Sequence, residues 1–282
     1  MKITALFICG AILPGFAVAN SIYDSTVLAN NPVLFTPLDE KSGTTATNLS
    51  TASGVQNGVY NSVTLGIPGG PDGSGGGFTA IGNFVSVPNY AAVDVGSEFS
   101  LEVWVDVASA SANSLGGIFA INRALNGTGL TLWLNGDHPE IGFNNGSTNY
   151  AELSSGSITN GQWNQIAVVW KEGAAPLFYI NGVATGNQDA NTFAQFLSLS
   201  TTLPVSIGAE FPNQNNAGGR WFNGDIEDVS FYNFALIPSL VAADYQAGVP
   251  EPGSLVPMGA GLAFLVVTVR RLRLRADRMD QQ

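Results

Sequence analysis

Cysteine is all but missing from this sequence. The one thiol, Cys9, lies inside an N-terminal apolar run, so the rest of the chain has no disulfide, thiol nucleophile or thiolate metal ligand. Histidine is equally scarce. His138 stands alone, in the turn-like Gly136-Asp137-His138-Pro139, and no nucleophile elbow accompanies it, which argues against a Ser-His-Asp hydrolase. Basic residues are few and badly placed for a polyanion. Of ten Lys and Arg, five crowd the C-terminus (Arg270, Arg271, Arg273, Arg275 and Arg278) and Lys2 stands at the start. Only Lys41, Arg123, Lys171 and Arg220 remain in the body, against most of the 21 acids. Such a surface repels phosphate backbones, so no nucleic-acid partner is expected.

Long apolar runs occur only at the two ends. Lys2 precedes the run Ile3 to Leu13, and Ala17-Val18-Ala19 follows with the small-x-small pattern of a signal-peptidase site. Residues 1–19 therefore read as a signal peptide with its helix, and the mature chain as starting at Asn20. Ile8 before Cys9 does not suit lipoprotein processing. At the other end Val249-Pro250-Glu251-Pro252-Gly253 breaks regular structure, and Leu255 to Val269 is apolar apart from Thr268. This hydrophobic helix is at the lower limit for a membrane span, with the arginines holding its end on the cytoplasmic side.

Between these ends, residues 20–248 read as strands and turns. Phe99, Leu101, Val103, Val105 and Val107 alternate with Ser100, Glu102, Trp104 and Asp106, as a two-faced strand does. Leu130, Leu132 and Leu134 likewise oppose Thr131, Trp133 and Asn135. Ile166 to Trp170 is continuously apolar, the pattern of a central strand. Further strands are predicted at 33–38, 84–87, 177–180, 205–207 and 226–232. Asn-Gly occurs seven times, at Asn57, Asn126, Asn135, Asn145, Asn160, Asn181 and Asn223, and favours type I′ hairpins. One helix is expected from near Ser239 to Ala247, between Pro238 and Gly248. Gly66 to Gly77 lacks periodicity and reads as a loop. The body is long enough to bury roughly 70% of its unfolded surface without disulfides.

Two resemblances follow from particular residues. Val249-Pro250-Glu251-Pro252, the apolar stretch and Arg270-Arg271-Leu272-Arg273 resemble a PEP-CTERM sorting signal over residues 249–278. That resemblance implies processing by an exosortase, a transient C-terminal membrane anchor, and release to the cell surface or extracellular matrix of a Gram-negative bacterium. The body is similar to the laminin-G-like jelly-roll domains of the concanavalin A-like lectin/glucanase superfamily. The likeness rests on Pro37-Leu38-Asp39-Glu40, Phe99 to Val105, Gly161-Gln162-Trp163 running into Ile166 to Trp170, Tyr179 to Val183, and Phe222 to Val229 with Tyr232-Asn233. It implies an all-β fold, an antiparallel two-sheet jelly-roll sandwich. Two departures stand out: Asn164 and Gln165 replace the usual histidines, and Ala80-Ile81-Gly82 lacks an aspartate often found there.

The resemblance does not choose a function, because this fold serves lectins, hydrolases and spacers alike. Asp225 and Glu227 have the spacing of a β-glucanase acid pair, but Val229 stands where the third acid belongs. A non-catalytic protein is therefore expected. A glycoside hydrolase or polysaccharide lyase is the alternative, and a matrix protein with no specific ligand is another. Neighbouring first and last strands, common in the superfamily, would bring Asp39 or Glu40 near Glu227 or Asp228, hard oxygen ligands suited to calcium; solvated acids are the other reading. Trp104 and Trp133 stand opposite the aliphatic stripes. With Glu102 and Asp106 beside Trp104, they are candidate contacts for an extracellular polysaccharide, or rings packed beneath loops.

Overall fold

Alternation along the strands gives each one an apolar face, and two sheets pair those faces in a common core. The computed structural model describes residues 22–94, 96–108, 115–121, 129–144, 149–188, 203–213 and 219–249. In chain order its elements are α1 (Ile22–Ala29), β1 (Leu34–Thr36), β2 (Thr45–Ala46), β3 (Gly58–Asn61), β4 (Thr64–Pro68), β5 (Ser74–Phe78), β6 (Phe84–Val87), a 3-10 turn (Ala91–Val93), β7 (Glu98–Asp106), β8 (Gly116–Ile121), β9 (Gly129–Asn135), β10 (His138–Asn144), β11 (Asn149–Leu153), β12 (Trp163–Lys171), β13 (Leu177–Ile180), β14 (Val183–Thr185), β15 (Val205–Ile207), β16 (Gly224–Tyr232) and α2 (Pro238–Gly248).

The first sheet runs β14-β13-β12-β7-β16-β5-β4, with β1 also pairing β16; the second runs β11-β10-β9-β8-β15-β6-β3-β2. Every pairing between these strands is antiparallel. Leu101, Val103 and Val105 of β7 meet Leu130, Leu132 and Leu134 of β9 in the core, with Ile166, Val168, Val229 and Phe231. Phe231 stacks on Phe99 of its own sheet and on Phe119 of the other, at 5.8 and 5.7 Å between ring centroids. Such offset stacks add to the burial that holds the sheets together.

Two helices cover much of the outer face of the first sheet. Helix α1 places Tyr23 and Val27 against Phe35 and Trp104, and α2 places Val241 against Ala167, Tyr179 and Tyr232. An eight-residue helix is marginal alone, so this packing is what holds α1. Helix α2 falls where the Pro238-to-Gly248 signals put it; α1 has no counterpart in the sequence reading. No helix among the described residues is long and apolar enough to cross a membrane. The processing residues Ala17, Ala19, Pro250, Glu251 and Pro252, with both terminal helices, lie outside the described residues.

The expected loop at Gly66 to Gly77 is corrected: most of it forms the β4–β5 hairpin, joined by residues 69–73. Periodicity is missing because there is no room for side chains. A Cβ on Gly75 would lie 3.1 Å from the Ile226 carbonyl and 3.2 Å from Trp163. The Asn-Gly pairs divide. Asn181-Gly182 has φ of 53° and 72°, a type I′ connection from β13 to β14, and Gly136 turns β9 into β10. Gly58 and Gly224 instead open β3 and β16, Asn160-Gly161 precedes β12, and Asn126 and Asn145 lie outside the described residues.

Candidate functional site

The residues singled out as ligand contacts fall in three different settings. Trp104 points outward from β7, but it is only 4% exposed. Its ring stacks on Tyr245 of α2 at 5.8 Å and meets Tyr23 of α1 edge-on at 6.1 Å. Glu102, two residues away, is fully buried beneath the same helices. There burial and Asp244 hold its carboxyl well above the ordinary range, and Asn30 Nδ2 donates to both Asp244 oxygens at 3.0 Å. Neither Trp104 nor Glu102 meets solvent, so the reading of them as a sugar platform is corrected. Alternation puts a side chain off the core face, but it does not say whether another layer lies on top.

Trp133, on the outer face of the second sheet, is 6% exposed. It spans Gly142, where a Cβ would be 2.3 Å from the ring, and its Nε1 donates to Glu140 at 3.0 Å. Asn135 Nδ2 binds the same carboxylate. This ring too is packed, and its one donor is committed. Asp106 is the exception, being partly exposed. It lies in one outward row with Trp163 on β12 and Asp225 on β16. Burial, then the Asp106 charge, raises Asp225 to about 6.

The first and last strands do pair, with Thr36 opposite Val229 and the Asp228 amide bound to Pro37 O at 2.9 Å. That pairing gathers acids, in a membership the sequence shows only in part. Asp24 of α1, Asp72 of the β4–β5 connection and Asp228 of β16 bring carboxylate oxygens within 4.8 Å of one another. A bulge between Glu227 and Ser230, with Asp228 at φ 52°, turns that side chain into the group. Glu227 stands beside it, one oxygen accepting from the Asp72 amide at 3.1 Å. Gly70 presses on the same carboxylate, since a Cβ there would sit 1.2 Å from Oε2. Burial and then Asp72 push Glu227 up to about 9, and burial and then Glu227 raise Asp228 well above its usual value.

Asp39 stands half-buried at the margin of this group, raised by burial, Glu40 and Asp72. Glu40 is turned elsewhere: it accepts the Thr47 amide at 2.7 Å and the Tyr60 hydroxyl at 2.5 Å. It is not among the three acids whose oxygens converge. Asp24 and Asp72 carried no sequence signal of their own; each is one acid in a segment whose fold was not read.

Two surface clefts are lined by described residues. One, of about 320 Å³, is apolar, lined by Val169, Leu177, Tyr179, Leu236 and Ile237. The other, of about 190 Å³, is lined by Thr79, Ala80, Ile81, Trp221, Phe222 and Asn223. Trp221 is partly exposed there, and its ring leans on Phe84 at 5.9 Å and 56°. Asn83 fixes the facing loop by accepting from the Ala80 amide at 2.8 Å and donating to Ser62 O at 2.6 Å.

Two antiparallel sheets packed face to face in this order define a lectin-like β-sandwich. The chain belongs to the concanavalin A-like lectin/glucanases superfamily, since the Laminin_G_3 family matches residues 78–242, more than half its length. No curated protein matches it by sequence. Among solved structures it is similar to the binding domain of Paraclostridial Mosquitocidal Protein 1, at 14% identity and TM-score 0.60 over 77% of this chain and 52% of that one. It is also similar to the botulinum neurotoxin serotype D ligand-binding domain in complex with N-acetylneuraminic acid, at 14% and 0.55 over 80% and 52%. The chain thus spans about half of either toxin domain. It spans nearly all, 98%, of domain 4 of AbnA, a GH43 extracellular arabinanase from Geobacillus stearothermophilus in complex with arabinotriose; there identity is 16%, TM-score 0.54 and coverage of this chain 77%. At these identities the likeness is one of fold.

Proposed function

We propose that this protein is a non-catalytic carbohydrate-binding domain, exported through its N-terminal signal and held at the bacterial surface through its C-terminal sorting segment. The observation that carries the binding role is the Trp221 cleft. A partly exposed indole stands beside the hydroxyl of Thr79 and the amide of Asn223. An indole face packs on the C–H surface of a sugar ring while neighbouring polar groups bond its hydroxyls. Support also comes from the similar structures, two of which hold sugars, sialic acid in one and arabinotriose in the other. The Trp104 and Trp133 rings are not part of this reading, because both are buried.

A glycan array probed with the full chain, and again with Trp221→Ala, tests it. Binding to an extracellular polysaccharide that falls at least about tenfold in the variant, while the fold is kept, is the expected result. Equal binding by both proteins would move the site elsewhere, and silence across the array would favour a matrix role.

The Asp106–Asp225 pair supports a second reading, a polysaccharide-acting enzyme. Asp225, raised to about 6, stands beside a second acid and in the same row as partly exposed Trp163. Release of new reducing ends, or of unsaturated ends, that stops in Asp225→Asn would establish it.

A further inference from the structure

None of the described residues that line the Trp221 cleft is ionisable. The chain leading into it, Asn213 to Gly219, holds no charged residue either. What the cleft offers is apolar surface and neutral polar groups. Ile81, 56% exposed, lines it together with the indole. The Thr79 hydroxyl and the Asn223 amide are groups that can both donate and accept, as a sugar hydroxyl does. A carboxylate only accepts, and once stripped of water it needs a cation beside it.

No such cation is on offer among the described residues, where Lys and Arg amount to Lys41, Lys171 and Arg220. Lys171 lines the other cleft, and Lys41 lies against Gly66 of the β4–β5 hairpin. Arg220 adjoins Trp221 in sequence but is committed. Its Nη1 donates to Glu210 at 2.7 Å, and its guanidinium carbon lies 5.7 Å from the centre of the Phe211 ring. The Glu210 side chain is 0% exposed. Turning Arg220 toward a ligand would strand that carboxylate in the interior, a strongly unfavourable exchange. The charges that follow the cleft in the sheet are negative. Asp225, two residues beyond Asn223, lies against Gly77, where a Cβ would be 3.3 Å from its Oδ1, and Asp106 stands opposite it. These acids, in a chain of net charge -11, oppose the approach of an anion.

We propose that the Trp221 cleft takes a single uncharged sugar residue, so that the protein selects neutral polysaccharides and rejects those built from uronic or sialic acids. Size sets the single residue. The cleft holds about 190 Å³, well below the roughly 300–1,000 Å³ of pockets that enclose drug-sized ligands. That is space for one ring and not for a chain of them. Charge sets the class, since a neutral ring needs only the indole face and hydroxyl partners, whereas an acidic one would enter an uncharged cleft with acids beyond it. This inference rests on the reading of the cleft as a sugar site and adds the substrate class to it.

The test is an array carrying neutral, uronate-bearing and sialylated glycans, probed with the full chain and with Trp221→Ala at low and high sodium chloride. The glycans that bind are expected to be neutral and to lose at least about tenfold in the variant. Their binding should change less than about twofold with salt, because no ion pair is there to be screened. Thr79→Ala, at an exposed position of the facing loop, is expected to weaken the same glycans about fivefold through one lost hydrogen bond, so the result does not hang on one variant's folding. Calorimetry with oligosaccharides of increasing length from the best neutral glycan should show affinity per sugar residue changing less than about threefold. An anionic glycan whose binding needs Trp221 and fades with salt overturns the inference while leaving the cleft a sugar site. A steep gain in affinity with length overturns it too, by revealing further subsites. Binding indifferent to both variants, or to no glycan at all, defeats the sugar-site reading and this inference with it.

Discussion

Single side chains of one type here carry opposite duties. Trp104 and Trp221 are both indoles, yet one is wedged between Tyr23 and Tyr245 and the other lines a cleft. Trp104→Ala is expected to cost about 3–5 kcal/mol in urea unfolding, the cost of a large buried ring with little room to collapse. Trp221→Ala should cost under about 1 kcal/mol, as a surface change does. Similar losses at both positions would mean that Trp221 is a packing residue too. The sequence shows that Trp104 faces away from the aliphatic stripe, and this is correct. It cannot show α1 and α2 above it, because exposure depends on which other segment arrives. Asp228 was legible as a ligand candidate for a related reason: the pairing of first and last strands is a family-level regularity. Asp24 and Asp72 were not, since they arrive on segments without periodicity.

At the scale of elements, strands with strict alternation or a solid apolar run were readable to within a few residues. β7, β9, β12 and β13 are examples. Strands made largely of glycine were not, and β5 is the clearest case. Its pairing uses only backbone, and its composition reflects crowding by Trp163, Ile226 and Glu227. Turns offer a sharper comparison. Gly136 and Gly182 have nearly the same positive φ, 68° and 72°. A Cβ at Gly136 meets open space, whereas at Gly182 it would lie 2.9 Å from Tyr245 Cβ. Gly136→Ala is therefore expected to cost only the backbone term, about 1–2 kcal/mol. Gly182→Ala should cost more, because α2 must also shift. Paired denaturation curves check this, and equal losses would show that α2 yields freely.

For the whole molecule, buried acids set the response to pH. In the chelator-treated protein Asp225 and Asp244 titrate near 6, and Glu102 is held well above its ordinary value, because burial disfavours their charged forms. Around Glu102 stand Asp244, Tyr232 and Ser230; around Asp225 stands Asp106. The unfolded chain releases these protons near about pH 4. Between there and the folded values the native state holds more protons, so its stability falls as pH rises. Urea midpoints in chelator should thus drop from pH 5 to pH 8. A flat or rising profile would show these carboxyls to be ionised in the fold.

The strand that completes the first sheet is nearly the last to be made. β16 lies between β7 and β5 and also carries β1, so Leu34 waits for Phe231. Contacts of such sequence separation form late and make folding slow, on the millisecond-to-second scale or longer for β-sandwiches. Until residue 232 is available the sheet has a gap at its middle, and a chain ending before β16 should not fold at all. Were the chain exported as an extended thread, as proposed above, that order would be an advantage: it would stay loose until β16 had come through, and only then could the sandwich close.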